Sequence, residues 1–380
     1  MKRFICLFLI FAALLTSSAY AETPSAGITP SVAAPSAVLM EKRTGEVLYE
    51  KKAHDHYFPA SVTKVMTLLL IAEDIESGKI SLDDTVTASK RAASFGGSCV
   101  YLAEGEQMTV SDMLKCIAVV SANDCAVAMA EHLSGSEELF VQRMNERASA
   151  LGLEDTHFTN CTGLFDDNNH YTSAYDVAVM SRELLRHEFI KEYTTIWMDS
   201  IRNGEFGLSS TNRLVYWYPG CTGLKTGYTS TAKYCISATA ERDGVEYIAV
   251  IMHSETADSR NADAQALLDY AFANYTLCSL RSGTPLPAIP VELGRAASVQ
   301  AVYGGPEYAL TAKTGAEPEY TLDIESSAAA PVHVGDRLGT LTVRSGGKVV
   351  ASVPVLAGED VPRLGVFGIV ALLAGRMVGL

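Results

Sequence analysis

Two periodicities alternate along this chain and divide it. "SAVLMEKRTGEVLYEKKA" sets short apolar runs on either side of Thr44-Gly45, which predicts a β-hairpin. Residues 61–77, "SVTKVMTLLLIAEDIES", repeat apolar positions at helical spacing and stop at Gly78, which predicts a helix. Helical patterns with short breaks fill residues 110–150. "KYCISATAERDGVEYIAVIM" (233–252) then predicts two strands joined by a turn at Asp243-Gly244, and "NADAQALLDYAFANY" a long helix. From there the pattern changes to short β-type runs with Pro and Gly punctuation and an "SGGK" turn. That predicts a main domain over 36–280 and a small β-rich domain over 281–360.

The two ends differ from the middle. Lys2 and Arg3 precede the apolar "FICLFLIFAALL", and Ala19-Tyr20-Ala21 follows, the pattern of a cleaved export signal over 1–21. The apolar run is too short to cross ~30 Å of hydrocarbon, and Cys6 lies inside it rather than at a lipoprotein cleavage site. Residues 22–35, rich in Pro, Ser and Ala, read as a flexible leader. The last segment, 361–380, contains "PRLGVFGIVALLAGRMVGL" with only Arg363 and Arg376 as charges. It predicts an apolar helix that lies on a membrane surface, too short and too interrupted to be a clear span. The expected place of work is outside the cytoplasm, on the outer face of the cytoplasmic membrane.

Composition narrows the classes. Hydrophobic residues at 48% and charged ones at 19% specify a large packed core. A net charge of −14 excludes a nucleic-acid partner, which needs a basic surface. Of eight cysteines, Cys6 falls in the export signal; the odd remainder has no CxxC pair and fits neither a disulfide framework nor a zinc site. The histidines show no ligand spacing, so no metal is expected.

Three short motifs are candidates for chemistry. Ser61 and Lys64 are spaced i, i+3 at the start of a predicted helix and share a face. A serine hydroxyl is a weak nucleophile until a base takes its proton, and a lysine does so only if its pKa falls through desolvation or a nearby cation. Ser121-Ala122-Asn123 falls in a break between helical stretches. There a hydroxyl and an amide can point the same way, although the same letters also suit a helix N-cap. Lys-Thr-Gly occurs twice, at 225–227 and 313–315.

In this order, S-x-x-K, then S-x-N about 60 residues on, then K-T-G about 100 further, these motifs match the serine acyl-transferase set of β-lactamases and penicillin-binding proteins. The sequence resembles the low-molecular-mass penicillin-binding proteins that are D-alanyl-D-alanine carboxypeptidases. "VLMEKRTGEVLYEKKA", "GGSCVYLAEGEQMTVSDMLK" and "LGLEDTHFTNCTGLFDDNNHYTSAYDVA" add to the motifs. The resemblance implies an α/β (α+β) penicillin-binding, β-lactamase-like transpeptidase domain followed by a small C-terminal all-β domain. It implies Ser61 as acylated nucleophile, Lys64 as general base and Ser121 as proton relay to the leaving D-alanine. Asn123 would bond the substrate amide, while Lys225 and Thr226 would hold its carboxylate. Gly227 would let the substrate backbone approach the strand, and the N–H groups of Ser61 and Tyr228 would form the oxyanion hole. Arg260 matches a second carboxylate-binding cation and Arg213 a more variable position.

The implied partners are peptidoglycan stem peptides ending in D-Ala-D-Ala, with β-lactams as covalent inhibitors and no cofactor. Class A β-lactamases share the motifs but carry a Glu-x-x-Leu-Asn pentad, absent between Asn123 and Lys225. A silent penicillin-binding scaffold is not favoured, since every named side chain is present. The second Lys-Thr-Gly reads as a turn between strands of the β domain.

Overall fold

In the computed structural model, which describes residues 30–313 and 315–377, the predicted hairpin forms one side of a sheet. β1 (Ser36–Glu41) pairs antiparallel with β2 (Val47–Lys51). Glu41 ties the turn, its buried carboxylate accepting from the N–H groups of Arg43 and Thr44. β3 (Cys221–Thr229), β4 (Lys233–Arg242) and β5 (Val245–Ser254) complete a five-stranded antiparallel sheet in the order β2-β1-β5-β4-β3. Asp243 and Gly244 join β4 to β5 with φ of 53° and 74°, the positive pair a type I′ hairpin requires.

The central strands are apolar on both faces because both are covered. The longer helices of this unit are α1 (Lys64–Glu76), α2 (Val110–Val119), α3 (Asn123–Ser134), α4 (Glu137–Ala150), α5 (Ala174–Leu184) and α6 (Ala257–Asn274). Val38, Met40, Ile248, Val250 and Met252 join a core with Leu68, Ile71, Val177 and Met180. On the other face Tyr247 meets Phe272 of α6 edge-on, with ring centroids 4.9 Å apart. Thr109, Ser136, Ser173 and Thr256 cap α2, α4, α5 and α6 with their hydroxyls. α3 is different: its N-cap is Ala122, without a side-chain cap. The capping role that Ser121-Ala122-Asn123 also suited is therefore not the one these side chains take.

This unit ends at Leu277 by its internal contacts. The export signal, 1–21, lies outside the described residues, as do the first residues of the leader. The leader's end is pinned rather than loose. The N–H groups of Ala33 and Ala34 donate to Asp263 at 3.0 and 2.8 Å, and Lys51 Nζ donates to the carbonyls of Val32 and Ala34.

The second unit, from Cys278, has its own core of Leu280, Ile289, Val299, Leu341, Val343 and Val355. Its strands are β6 (Ala288–Glu292), β7 (Ser298–Tyr303), β8 (Glu319–Ile324), β9 (Ala328–Ala329), β10 (Arg337–Ser345) and β11 (Lys348–Ala357), ordered β8-β10-β11-β7-β6-β9. The "SGGK" turn closes β10 on β11, with φ of 55° and 77° at Gly346 and Gly347. α7 (Val366–Met377) follows and exposes Val366, Phe367 and Val370. Among the described residues no helix is long and apolar enough to cross a membrane. In the second Lys-Thr-Gly, Thr314 lies outside the described residues; Lys313 and Gly315 fall between the strand Tyr308–Ala312 and β8.

Candidate active site

Ser61 sits in a 3-10 turn, Ala60–Thr63, that runs straight into α1 at Lys64. The turn begins on Ala60 at φ +45°, a conformation L side chains rarely adopt. The i, i+3 spacing turns the Lys64 side chain back toward Ser61, and Nζ lies 3.2 Å from Ser61 Oγ. Lys64 is fully buried, and Nζ also donates to Asn123 Oδ1 at 2.6 Å and to the Thr162 carbonyl at 2.8 Å. None of these acceptors is a carboxylate. Burial therefore dominates and lowers the Lys64 pKa to about 7. A charged ammonium has three protons for three acceptors. Once it loses the one toward Ser61, the amine keeps two donors for Asn123 and Thr162 and offers a lone pair to the serine hydroxyl. That is the geometry of a general base.

The second motif meets the first through Asn123. Its Oδ1 accepts from Lys64, and its Nδ2 donates to the Gly96 carbonyl at 2.8 Å. Ser121 adopts φ +64°, and its buried hydroxyl has no hydrogen-bond partner among the described residues. An unpaired buried hydroxyl costs about 1–3 kcal/mol, and strained positions of this kind cluster at functional sites. Asp124 braces the neighbouring loop, accepting from the N–H groups of Val100 and Leu102, both at 3.1 Å.

The third motif lies on β3, an edge strand whose free side faces the Ser61 turn. Lys225 is buried, and Nζ donates to the Thr226 carbonyl at 2.9 Å. Burial, then the charges of Lys64 and Arg260, hold its pKa well below the ordinary lysine value. Thr226 Oγ1 donates to Thr211 Oγ1 at 2.8 Å. Gly227 has a reason other than substrate access: a Cβ there would lie 2.8 Å from the Pro59 carbonyl oxygen and 3.1 Å from the Ser61 nitrogen. Glycine lets β3 press against the turn that carries Ser61. Tyr228 follows, an exposed residue whose ring packs on that of Tyr234 with centroids 4.4 Å apart.

Arg260 is buried rather than a solvated surface cation. Its guanidinium donates to Asn261 Oδ1 at 2.9 and 3.1 Å, and burial lowers its pKa to about 10. Arg213 is exposed, but its charge lies close enough to depress Arg260 further. Four cations thus converge, and none of them forms an ion pair within the described residues. Such a cluster suits a ligand that brings its own carboxylate.

Sequence reasoning missed the groups that work through backbone. The carbonyls of Thr162 and Gly96 are first contacts of Lys64 and Asn123, and a carbonyl leaves no signature in the letters. Asn160 was a findable signal: in "TNCTG" its Oδ1 accepts from the N–H groups of Thr162 and Gly163 and shapes the loop. Thr211 and His170 belong to the site through Thr226 and Thr63 and lie outside all three motifs.

The sequence profile described as D-alanyl-D-alanine carboxypeptidase matches residues 21–256, and that described as Penicillin-binding protein 5, C-terminal domain, matches 279–363. The chain is 42% identical over 374 residues to the D-alanyl-D-alanine carboxypeptidase DacF of Bacillus subtilis (strain 168), spanning 96% of each chain. It is 31% identical to DacA of Haemophilus influenzae, over 94% of this chain and 93% of that one. Among solved structures, penicillin binding protein 5 from Haemophilus influenzae matches with a TM-score of 0.77 at 28% identity, over 89% of this chain and 100% of that one. The ampicillin-bound form of Penicillin-Binding Protein D2 from Listeria monocytogenes matches with a TM-score of 0.59 at 29% identity, over 64% of this chain and 100% of that one. The chain belongs to the D-alanyl-D-alanine carboxypeptidase family, with the β domain of penicillin-binding protein 5 joined to it.

Proposed function

We propose that this chain removes the terminal D-alanine from peptidoglycan stems ending in D-Ala-D-Ala through an acyl-enzyme on Ser61. The observation that carries the assignment is Lys64: fully buried, 3.2 Å from Ser61 Oγ, and near neutral pKa. The terminal carboxylate binds Lys225 and Thr226 with support from Arg260, and Asn123 bonds the substrate amide. Lys64 takes the Ser61 proton as Oγ attacks the penultimate carbonyl. The developing oxyanion is held by the N–H groups of Ser61 and Tyr228, and such donors supply about 2.7–4 kcal/mol each. The close approach of β3 to the turn, where a Cβ on Gly227 would lie 3.1 Å from the Ser61 nitrogen, supports that pairing. The C–N bond then breaks as Ser121 gives its proton to the departing amine and takes in return the proton held by Lys64, which is left neutral for the next step. Water cleaves the ester and restores the Ser61 hydroxyl. A β-lactam enters the same way and keeps its leaving nitrogen tethered, so the acyl-enzyme persists.

Ser61→Ala is expected to abolish both fluorescent-penicillin labelling and D-alanine release from a pentapeptide. Labelling that survives overturns Ser61 as nucleophile, and labelling without release in the native chain overturns the carboxypeptidase reading.

The site of action is proposed as the outer face of the cytoplasmic membrane, after export by residues 1–21. The apolar face of α7, with Phe367 91% exposed, supports surface attachment by the C-terminus. Deleting 362–380 is expected to move the protein to the soluble fraction with peptide hydrolysis intact; a truncated chain that stays with the membrane sinks the anchor.

A further inference from the structure

His170 is 1% exposed and has no part in the reaction above. Its ring lies between two segments of the site. Nδ1 accepts from the Thr159 N–H at 3.0 Å, so the ring proton of the neutral imidazole resides on Nε2. Nε2 then donates to Thr63 Oγ1 at 2.8 Å, and Thr63 Oγ1 donates to the Ala60 carbonyl at 2.8 Å. Thr159 opens the loop whose Thr162 carbonyl accepts from Lys64, while Thr63 and Ala60 bracket Ser61. The loop and the turn touch closely enough that a Cβ on Gly163 would lie 1.8 Å from the Ala60 carbonyl oxygen. The ionisable neighbours are Asp167, His157 and Asp166; burial, with His157 acting in the same direction, outweighs the two carboxylates and holds the imidazole neutral, with a pKa of about 4.

We propose that His170 is a positioning residue, joining the Ser61 turn to the loop that orients Lys64 and so setting the distance between nucleophile and base. The proposal rests on the reading of Ser61 and Lys64 given above. A displacement of about 1 Å between reacting groups costs about 100-fold in rate. His170→Leu is therefore expected to lower the acylation rate by fluorescent penicillin, and kcat on pentapeptide, by about that factor, with KM moving less than about threefold. His170→Gln, which retains a donor toward Thr63, is expected to restore part of the rate. Thr63→Val cuts the same chain, so Thr63→Val with His170→Leu is expected to be no slower than the slower single variant.

Wild-type kcat in His170→Leu, or independent effects of the two changes, overturns the proposal. If His170→Leu gives no cooperative thermal transition, Thr63→Val alone decides: a wild-type rate overturns the proposal, and a loss confined to kcat supports it. Ser61→Ala, run alongside, separates the two failures. Labelling of Ser61→Ala defeats the nucleophile assignment, whereas an inert Ser61→Ala beside a fully active His170→Leu defeats only the positioning role.

Discussion

The chain spells Lys-Thr-Gly twice, and the two sites share almost nothing physically. Lys225 is buried on an edge strand near Lys64 and Arg260, with its pKa depressed by burial and by like charge. Lys313 is exposed in a connection between two strands of the β domain. The glycines differ in kind as well. Gly227 is required for space, since a Cβ would strike the backbone of the Ser61 turn. Gly315 has nothing within 4 Å of a built Cβ, and what it supplies is a φ of +71°. A three-letter motif is therefore a chemical statement only where the fold desolvates its lysine and aligns its backbone with a partner.

Several substitutions would break or sharpen that contrast. Lys225→Ala leaves the substrate carboxylate facing a site without its nearest cation, and kcat/KM for D-Ala-D-Ala peptides is expected to fall by ~10²–10³-fold. A loss under tenfold in steady-state kinetics would mean that Arg260 and Thr226 hold the carboxylate unaided. Gly227→Ala pushes β3 away from Ser61 and is expected to cost about 100-fold in penicillin acylation and ~1–3 kcal/mol in unfolding free energy. Full activity there would show that the turn yields freely.

The pH dependence of acylation comes next. In the proposed reaction Lys64 must be neutral to accept the Ser61 proton, and burial lowers its pKa to about 7. The rate is therefore expected to rise with pH through about 7 and to fall about tenfold per unit below it. A profile flat from pH 5 to 8, measured by stopped-flow labelling, would remove Lys64 as base. The smallest effects belong to the second copy. Lys313→Ala is expected to leave kcat/KM within assay error. Gly315→Ala is expected to cost about 1–2 kcal/mol locally through left-handed strain, visible in thermal melts of the chain, with activity unchanged. Any large kinetic loss at either position would contradict the separation of the two copies.

Much of this architecture was legible beforehand. The hairpins at Thr44-Gly45, Asp243-Gly244 and "SGGK" combine turn residues that tolerate positive φ with flanking apolar runs, and all three formed. The long helix over the "NADAQALLDYAFANY" stretch formed as well, starting earlier, at Ala257 behind its Thr256 cap. Ser121-Ala122-Asn123 supplies no side-chain cap to α3, because Asn123 is drawn onto Lys64 and Asp124 onto the 100–102 loop. The pattern at 22–35 suggested only looseness. Its last residues are held by Asp263 and Lys51, both distant in sequence.

Sequence alone determined which side chains are available and in what order, because Ser61 with Lys64, Ser121 with Asn123, and Lys225 with Thr226 are pairs set by local spacing. Tertiary structure decided what those groups are chemically. It buried Lys64 and Lys225 with no ion pair to a carboxylate among the described residues, placed the Thr162 and Gly96 carbonyls as acceptors, and set His170 against the Ser61 turn. Those outcomes depend on desolvation and on backbone atoms common to every residue, and neither quantity is written in the letters of the chain.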